Sequence, residues 1–317
     1  MKKLTVGILG PGTVGGGAYQ ILVNNHDLIQ KRTGVSIEVV KLLTRRPRSE
    51  YPADLLTDDP DEILNDPNVN VVIETMGGIQ PATSFMLQAM KKGKHVVTAN
   101  KAAVAASYEE LVMTASENGV KFLFEASVGG GIPVLTSIQN PLSGNNFTEV
   151  MGILNGTTNY ILTKMTEDGA DYENVLKDAQ ARGFAEADPT ADVEGIDAAN
   201  KLSILIALLF GKYIAPSDIL TKGISHVTGQ DIAEAADENC IIKLIAHAVL
   251  KDGKISCSVA PEKVPISHPL AGVSNEFNAV YITGDMVGEV MLYGKGAGAL
   301  PTGSAIVGDI IDIAKNL

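Results

Sequence analysis

The sequence predicts an α/β protein: a doubly wound parallel sheet followed by a second, α+β domain. Three observations lead there. Between residues 4 and 125, short β-rich runs alternate with helical ones. Those runs are continuously apolar, as strands covered on both faces are, and do not alternate polar with apolar. After Gly129-Gly130-Gly131 the pattern changes to one of mixed helices and more widely spaced strands.

Element by element, strands are expected at residues 4–9, 37–43, 71–74, 95–98 and 121–125. Helices are expected at 14 to about 30, 81–92 and 108–118. Beyond the glycine triplet, Pro133 suits the first turn of a helix to about 139. A strand at 147–154 follows, then helices at 158–167, 172–181 and 193–210. Strand-like runs at 255–259, 279–283 and 289–292 suggest a largely antiparallel sheet. The last segment, 303–316, is helical and can return to the first domain, because chain termini often lie close together. The expected division is therefore 1–132 completed by 299–317, and 133–298.

Composition narrows the function. Lys+Arg number 25 and Asp+Glu 37, a formal charge of −12. So acidic a chain gains nothing from the counterions of nucleic acid or from an anionic membrane. The two cysteines, Cys240 and Cys257, form no C-x-x-C pair, which argues against zinc ribbons, iron–sulfur clusters and disulfide scaffolds. The longest apolar run, 202–210, is about half a membrane span. Lys2-Lys3 and the apolar run 4–9 mimic a signal peptide, but Gly10-Pro11-Gly12 cuts the run short. A cytoplasmic protein is expected. Glycine is in excess, at 32 residues, so the places where backbone turns or approaches a ligand closely come first.

One such place is Gly10-Pro11-Gly12-Thr13-Val14-Gly15, a G-x-G-x-x-G between the first predicted strand and helix. That context marks a Rossmann-type dinucleotide site. Gly10 allows the tight turn, Gly12 admits a pyrophosphate against the backbone, and Gly15 lets helix pack on strand. The helix N-terminus offers N–H groups and a positive dipole end to the phosphates. The second strand then ends in Leu43-Thr44-Arg45-Arg46-Pro47-Arg48, with arginines and no acid. An acid there would bind the ribose hydroxyls of NAD, whereas arginine pairs a 2′-phosphate. Arg45 and Arg46 therefore favour NADP(H), with NAD(H) as the alternative.

Two lysines stand out. Lys101 follows the predicted strand 95–98, at the carboxyl end where ligands bind in such sheets. Lys201 follows a segment with five carboxylates between residues 182 and 197. Asp192 is expected to cap the helix that starts at Val193. Asp197 and Lys201 are four apart, so they share a helical face in the favourable acid-first order. An exposed pair would be worth little. The next residues, 202–210, are apolar around the whole circumference, so Lys201 stands where the helix enters the core. A partly desolvated lysine beside an aspartate suits a general acid for a carbonyl being reduced.

These residues resemble the homoserine dehydrogenase family over essentially the whole chain. The resemblance rests on the glycine loop, Thr98-Ala99-Asn100-Lys101, Glu125 through Pro133, Ile153 through Asn159, Gly183 through Lys201, His268-Pro269-Leu270-Ala271 and Gly296-Ala297-Gly298. It implies NAD(P)H-dependent interconversion of aspartate 4-semialdehyde and L-homoserine by a homodimer. It puts the proton donor on Lys201, with Asp197, and a second lysine touching cofactor and substrate on Lys101. Homoserine-binding acids fall on Glu186 and Asp197, and a carboxylate-binding helix start on Asn155, Gly156 and Thr157. Cofactor contacts include Thr13, Val14, Thr98, Gly183 and Gly298. A monovalent cation, sodium or potassium, would sit on Glu125 and the carbonyls of Val128, Gly130 and Ile132; the residues alone suggest no cation. Ending at Leu317, the chain looks like a short form without the family's regulatory module.

Rival readings remain at this level. The five histidines show no metal-ligand spacing, and both cysteines read as small apolar fillers. That argues against a phosphorylating semialdehyde dehydrogenase, which needs an activated cysteine. Another NADP-dependent oxidoreductase of amino or hydroxy acids, or a nucleotide sensor without turnover, fits the same layout.

Overall fold

The computed structural model describes residues 2–46 and 48–316; Met1, Pro47 and Leu317 lie outside the described residues. The chain divides into two compact units, Met1–Gly131 with Ala297–Leu317, and Ile132–Gly296.

The first unit begins β1 (Lys2–Leu9), α1 (Thr13–Asn24), α2 (His26–Thr33), β2 (Val35–Leu43), β3 (Leu56–Thr57), α3 (Asp61–Leu64) and β4 (Val71–Glu74). It continues α4 (Ala82–Lys91), β5 (His95–Thr98), α5 (Lys101–Ala106), α6 (Tyr108–Glu117) and β6 (Phe122–Leu123). Its strands form one parallel sheet in the order β3-β2-β1-β4-β5-β6. This is the doubly wound sheet that strand–helix alternation predicts, and its order reverses between β1 and β4. Leu4, Val6 and Ile8 of β1 and Val71 and Ile73 of β4 are wholly buried, which is why these strands are apolar throughout. The helix expected at 14–30 is two helices, broken at Asn25. Asn24-Asn25 are weak helix formers, and His26 bonds Ser36 on β2 through Nε2 at 3.1 Å.

The second unit contains α7 (Val134–Gln139), β7 (Phe147–Ile153), α8 (Gly156–Asp168), α9 (Tyr172–Ala181), α10 (Thr190–Val193) and α11 (Ile196–Phe210). It continues β8 (Leu220–Thr221), α12 (Gly229–Asp237), β9 (Cys240–Lys251), β10 (Lys254–Pro265), β11 (Phe277–Gly284) and β12 (Gly288–Lys295). The sheet order is β12-β11-β7-β9-β10-β8, antiparallel except where β8 pairs β10. α8 and α11 pack on it.

Two expectations need correction here. The central strand β9 is missing from the elements read above, because Cys240–Lys251 is an apolar run that periodicity cannot assign to helix or strand. Its partner β10 runs well past 259, despite Pro261 and Pro265. Those prolines are tolerated because β8 pairs β10 only at Ser258 and Val259, leaving an open edge beyond. The expected helix 193–210 is also interrupted. Gly195 adopts φ +79 and separates α10 from α11. Asp192 therefore lies inside α10 and caps nothing; its carboxylate has other partners, described below.

The chain closes with α13 (Ala299–Lys315), in the first unit. It packs across α1, burying Ile306, Val307, Ile310 and Ile313 with Ala18 and Leu22. The helices touch at glycines: a Cβ on Gly17 would lie 2.0 Å from the Ala299 carbonyl, and one on Gly303 would lie 2.7 Å from Ala18 N. Gly17 is thus a packing residue of the glycine run.

Candidate active site

In the first unit a cavity of about 630 Å³ opens at the carboxyl ends of β1 and β4. Gly10, Pro11, Gly12, Thr44, Arg45, Arg46 and Arg48 contribute to its wall. Gly10 has φ +90, and a Cβ on Gly15 would lie 2.5 Å from the Gly10 carbonyl and from Thr75 Oγ1. The turn and the close helix–loop contact therefore both require glycine. Gly12 is the N-cap of α1 and has no side chain to occupy the first N–H groups of that helix. An uncapped helix start on an arginine-lined cavity suits the phosphates of a dinucleotide. Thr13 and Val14 open α1 but do not line the cavity; Val14 packs against the core. Tyr51 donates to the Pro11 carbonyl at 3.1 Å, tying the arginine loop to the glycine loop. Arg48 pairs Glu50 at 3.1 Å.

Of the wall residues that escaped the sequence, one is charged. Asp58, just after the two-residue strand β3, lines the same cavity as the arginines. The end of β2 carries no acid, but the neighbouring strand supplies one. Only the pairing of β3 with β2 could have revealed it.

Lys101 is the first residue of α5, half-buried. Thr98 is wholly buried and donates through Oγ1 to Glu74 Oε2 at 2.7 Å. Glu74, at the end of β4, is itself fully buried, and burial raises its pKa above the usual carboxylate range. A lone acid ending an apolar run leaves no pattern in the sequence that would mark it.

The second unit gathers Asn155, Thr157, Asp192, Asp197 and Lys201. Lys201 is 7% exposed and Asp197 5%. Lys201 Nζ donates to Asp197 Oδ2 and to the Leu154 carbonyl, both at 2.6 Å. The i,i+4 spacing has produced a buried ion pair. Asn155 caps α8, its Oδ1 accepting from Thr158 N at 2.9 Å. Its Nδ2 donates to Asp192 at 2.7 Å and to Asp197 Oδ2 at 2.9 Å. The Asn155 side chain is thus committed to internal partners, and Asp192 serves this network. Thr157 Oγ1 donates to the Phe184 carbonyl at 2.5 Å. The start of α8 keeps the N–H groups of Gly156 and Thr157 ahead of the capped position.

Glu186 lies in an exposed loop after α9. Gln180 Nε2 donates to the Glu186 carbonyl at 3.1 Å, and Gly183 turns into the loop with φ +77. Below the loop, Tyr160 bonds Asp178 and packs on Phe184, their ring centroids 4.9 Å apart. Gly298, with φ +124, is the N-cap of α13.

Glu125 is buried at 5% exposure, and its backbone N–H donates to Asp309 Oδ2 at 3.0 Å. Burial first, and then the Glu125 charge, push the Asp309 carboxyl well above its usual range. Val128 is wholly buried, Gly130 has φ +56, and Ile132 begins the second unit. Among the described residues, no three His, Cys, Asp or Glu side chains group as a metal site, and no helix is long and apolar enough to cross a membrane. The Cys257 thiol is pushed up by burial, the opposite of activation.

The fold and these groups define a class: a Rossmann-type, dinucleotide-dependent oxidoreductase with a second, largely antiparallel unit. Comparisons with known proteins then fix the family. The family model "Homoserine dehydrogenase, NAD binding domain" matches residues 10–125, and "Homoserine dehydrogenase" matches 133–311. The homoserine dehydrogenase of Bacillus subtilis is 44% identical, covering 100% of this chain, which spans 74% of that protein's length. A homoserine dehydrogenase structure from Thiobacillus denitrificans superposes with a TM-score of 0.96 at 42% identity, over 99% of this chain and 74% of that one. A hyperthermophilic archaeal homoserine dehydrogenase in complex with NADPH superposes at 0.84 and 27% identity, over 99% and 98%. The chain belongs to the homoserine dehydrogenase family. Its activity is the NAD(P)H-dependent reduction of aspartate 4-semialdehyde to homoserine, a step of threonine and methionine biosynthesis.

Proposed function

We propose that Lys201 is the proton donor of this reaction, with Asp197 as its positioning partner. The observation that carries this reading is the buried ion pair at 2.6 Å, with the Leu154 carbonyl holding Nζ from a second side. Bound NADPH supplies the hydride. As negative charge develops on the semialdehyde oxygen, a fixed ammonium stabilises it and delivers a proton without reorganising. Asn155 holds Asp197 in turn. Gly156 and Thr157 offer backbone N–H groups to the substrate carboxylate. Glu186 and Asp197 take the substrate ammonium, and Lys101 touches cofactor and substrate.

For the cofactor, we infer a preference for NADPH through Arg45 and Arg46, with Gly10, Gly12, Thr13, Val14, Gly15 and Thr98 around it and with Gly183 and Gly298 as further contacts. Arg45→Ala should weaken NADPH binding about tenfold or more, the worth of a charged hydrogen bond, and leave NADH within about twofold. Equal losses would remove the 2′-phosphate role. A sodium or potassium ion is proposed on Glu125 with the Val128, Gly130 and Ile132 carbonyls. Two carboxylates buried together are eased by a cation. The enzyme is further proposed to be cytoplasmic and homodimeric. Met291 and Tyr293, exposed on β12, are apolar surface that a dimer would cover.

The test of the central reading is Lys201→Ala. It should lower kcat by orders of magnitude while NADPH affinity stays close to that of the parent. The chain has no tryptophan to report binding, so the directly excited fluorescence of NADPH reads that affinity. Near-parental turnover would sink the assignment.

A further inference from the structure

At the crevice where the strand order reverses, a buried acid joins two parts of the first unit. Glu74 ends β4, paired in register with Leu9 of β1 on one side and Thr98 of β5 on the other. Its carboxylate is 0% exposed. Such burial is costly, and a hydrophobic residue would fill the place more cheaply. The partners show what it is used for. Oε2 accepts from Thr98 Oγ1 at 2.7 Å. Oε1 accepts from Met76 N at 2.7 Å and from Asn100 Nδ2 at 3.4 Å.

Each donor leads to a place of interest. Met76 belongs to the segment Thr75-Met76-Gly77, which lines the cofactor cavity. Asn100 donates to the Gly78 carbonyl at 2.7 Å and caps α5 by accepting from Ala103 N at 3.1 Å. Thr98 Oγ1 accepts from Asn100 N at 2.9 Å. Lys101 is the residue after that cap and opens α5. A single carboxylate therefore anchors both one wall of the cavity and the turn that presents Lys101.

We propose that Glu74 is a positioning residue of the reaction: it fixes Lys101 against the cofactor-cavity wall through Thr98, Asn100 and Met76. This rests on the reading that Lys101 touches cofactor and substrate. Glu74 has no contact with the reacting atoms. Its effect is on geometry, and misplacement of a functional group by about 1 Å is enough to lower turnover roughly a hundredfold.

The experiment is a double-mutant cycle on the full chain, using Glu74→Ala, Lys101→Ala and the combination. Steady-state kcat, KM for NADPH and for aspartate semialdehyde, and thermal midpoints are all read. Glu74→Ala should lower kcat about tenfold to a hundredfold and raise KM for NADPH. In the Lys101→Ala background the same change should alter kcat by less than about twofold, because the group it positions is gone. Glu74→Gln keeps an acceptor for Met76 and Asn100, so it should recover most of the lost turnover. If the alanine variant does not fold, Glu74→Asp replaces it, displacing the network while keeping the charge, and the same cycle applies. Losses that multiply independently in the double variant, or a parental kcat in folded Glu74→Ala or Glu74→Asp, overturn the proposal. A Lys101→Ala enzyme with parental kcat and KM would instead overturn the reading of Lys101, and this proposal with it.

Discussion

Asn155 shows how one side chain can order a site. Its oxygen caps α8, and its amide nitrogen reaches Asp192 and Asp197. Asn155→Asp keeps the cap acceptor but places a third carboxylate against the other two. Asn155→Ser keeps a cap without adding charge. Urea unfolding should show the aspartate variant less stable than the serine variant by about 2 kcal/mol or more, the scale of an uncompensated buried charge. Equal stabilities would mean that a third carboxylate beside Asp192 and Asp197 costs nothing. From the sequence, Asp197 and Lys201 could be paired because helical spacing fixes which face they share. Asn155 could not be joined to them, because 42 residues separate it from Asp197. For the same reason Glu74 and Asp58 went unnoticed.

Elements succeed or fail on their neighbours. α1 and α13 lie far apart in sequence, yet Gly17 and Gly303 let them meet backbone to backbone. Gly17→Ala would gain helix propensity of about 1 kcal/mol in isolation. In the folded chain its methyl would overlap the Ala299 carbonyl, so the net effect should be destabilisation of about 1–3 kcal/mol, read as a lower thermal midpoint. A higher midpoint would show that α13 moves aside at little cost. Periodicity located the parallel strands of the first unit well, since burial on both faces leaves a continuous apolar signature. It did not separate α1 from α2, nor recognise β9, since a long apolar run is compatible with either geometry. α10 and α11 were read as one helix because the left-handed turn at Gly195 depends on φ, which composition does not reveal.

For the whole molecule, the stability of the folded state should carry the mark of Lys243. This lysine, 2% exposed on β9, donates to the Val273 carbonyl at 2.6 Å and to Asn159 Oδ1 at 3.2 Å. Burial pushes its pKa down to about 8. The unfolded chain would hold this proton up to about 10.4. Between those values the unfolded state binds more protons, so stability rises with pH. The penalty of charging the buried amine is full below about 8, fades between about 8 and 10.4, and is gone above that. Its ceiling is roughly 3 kcal/mol by the free-energy equivalent of the shift. Comparing unfolding free energies at pH 8 and 10, Lys243→Met should lose this upward slope relative to the parent. The same slope in both proteins would locate the proton elsewhere.

By itself, the sequence determined the doubly wound sheet, the glycine loop at its switch point and the Asp197–Lys201 pair. Each is local: short apolar runs between helical stretches, a turn of six residues, or one step of a helix. With the resemblance carried by its longer motifs, it also determined the family. Tertiary structure alone decided which distant groups meet. It brought Asn155 and Asp192 to the lysine pair, set Asp58 beside the arginines, and put Glu74 beneath the turn that bears Lys101. Backbone geometry and spacing propagate only a few residues along a chain. Burial and hydrogen bonding act between whatever the fold brings together, and those partners leave no periodic trace in the sequence.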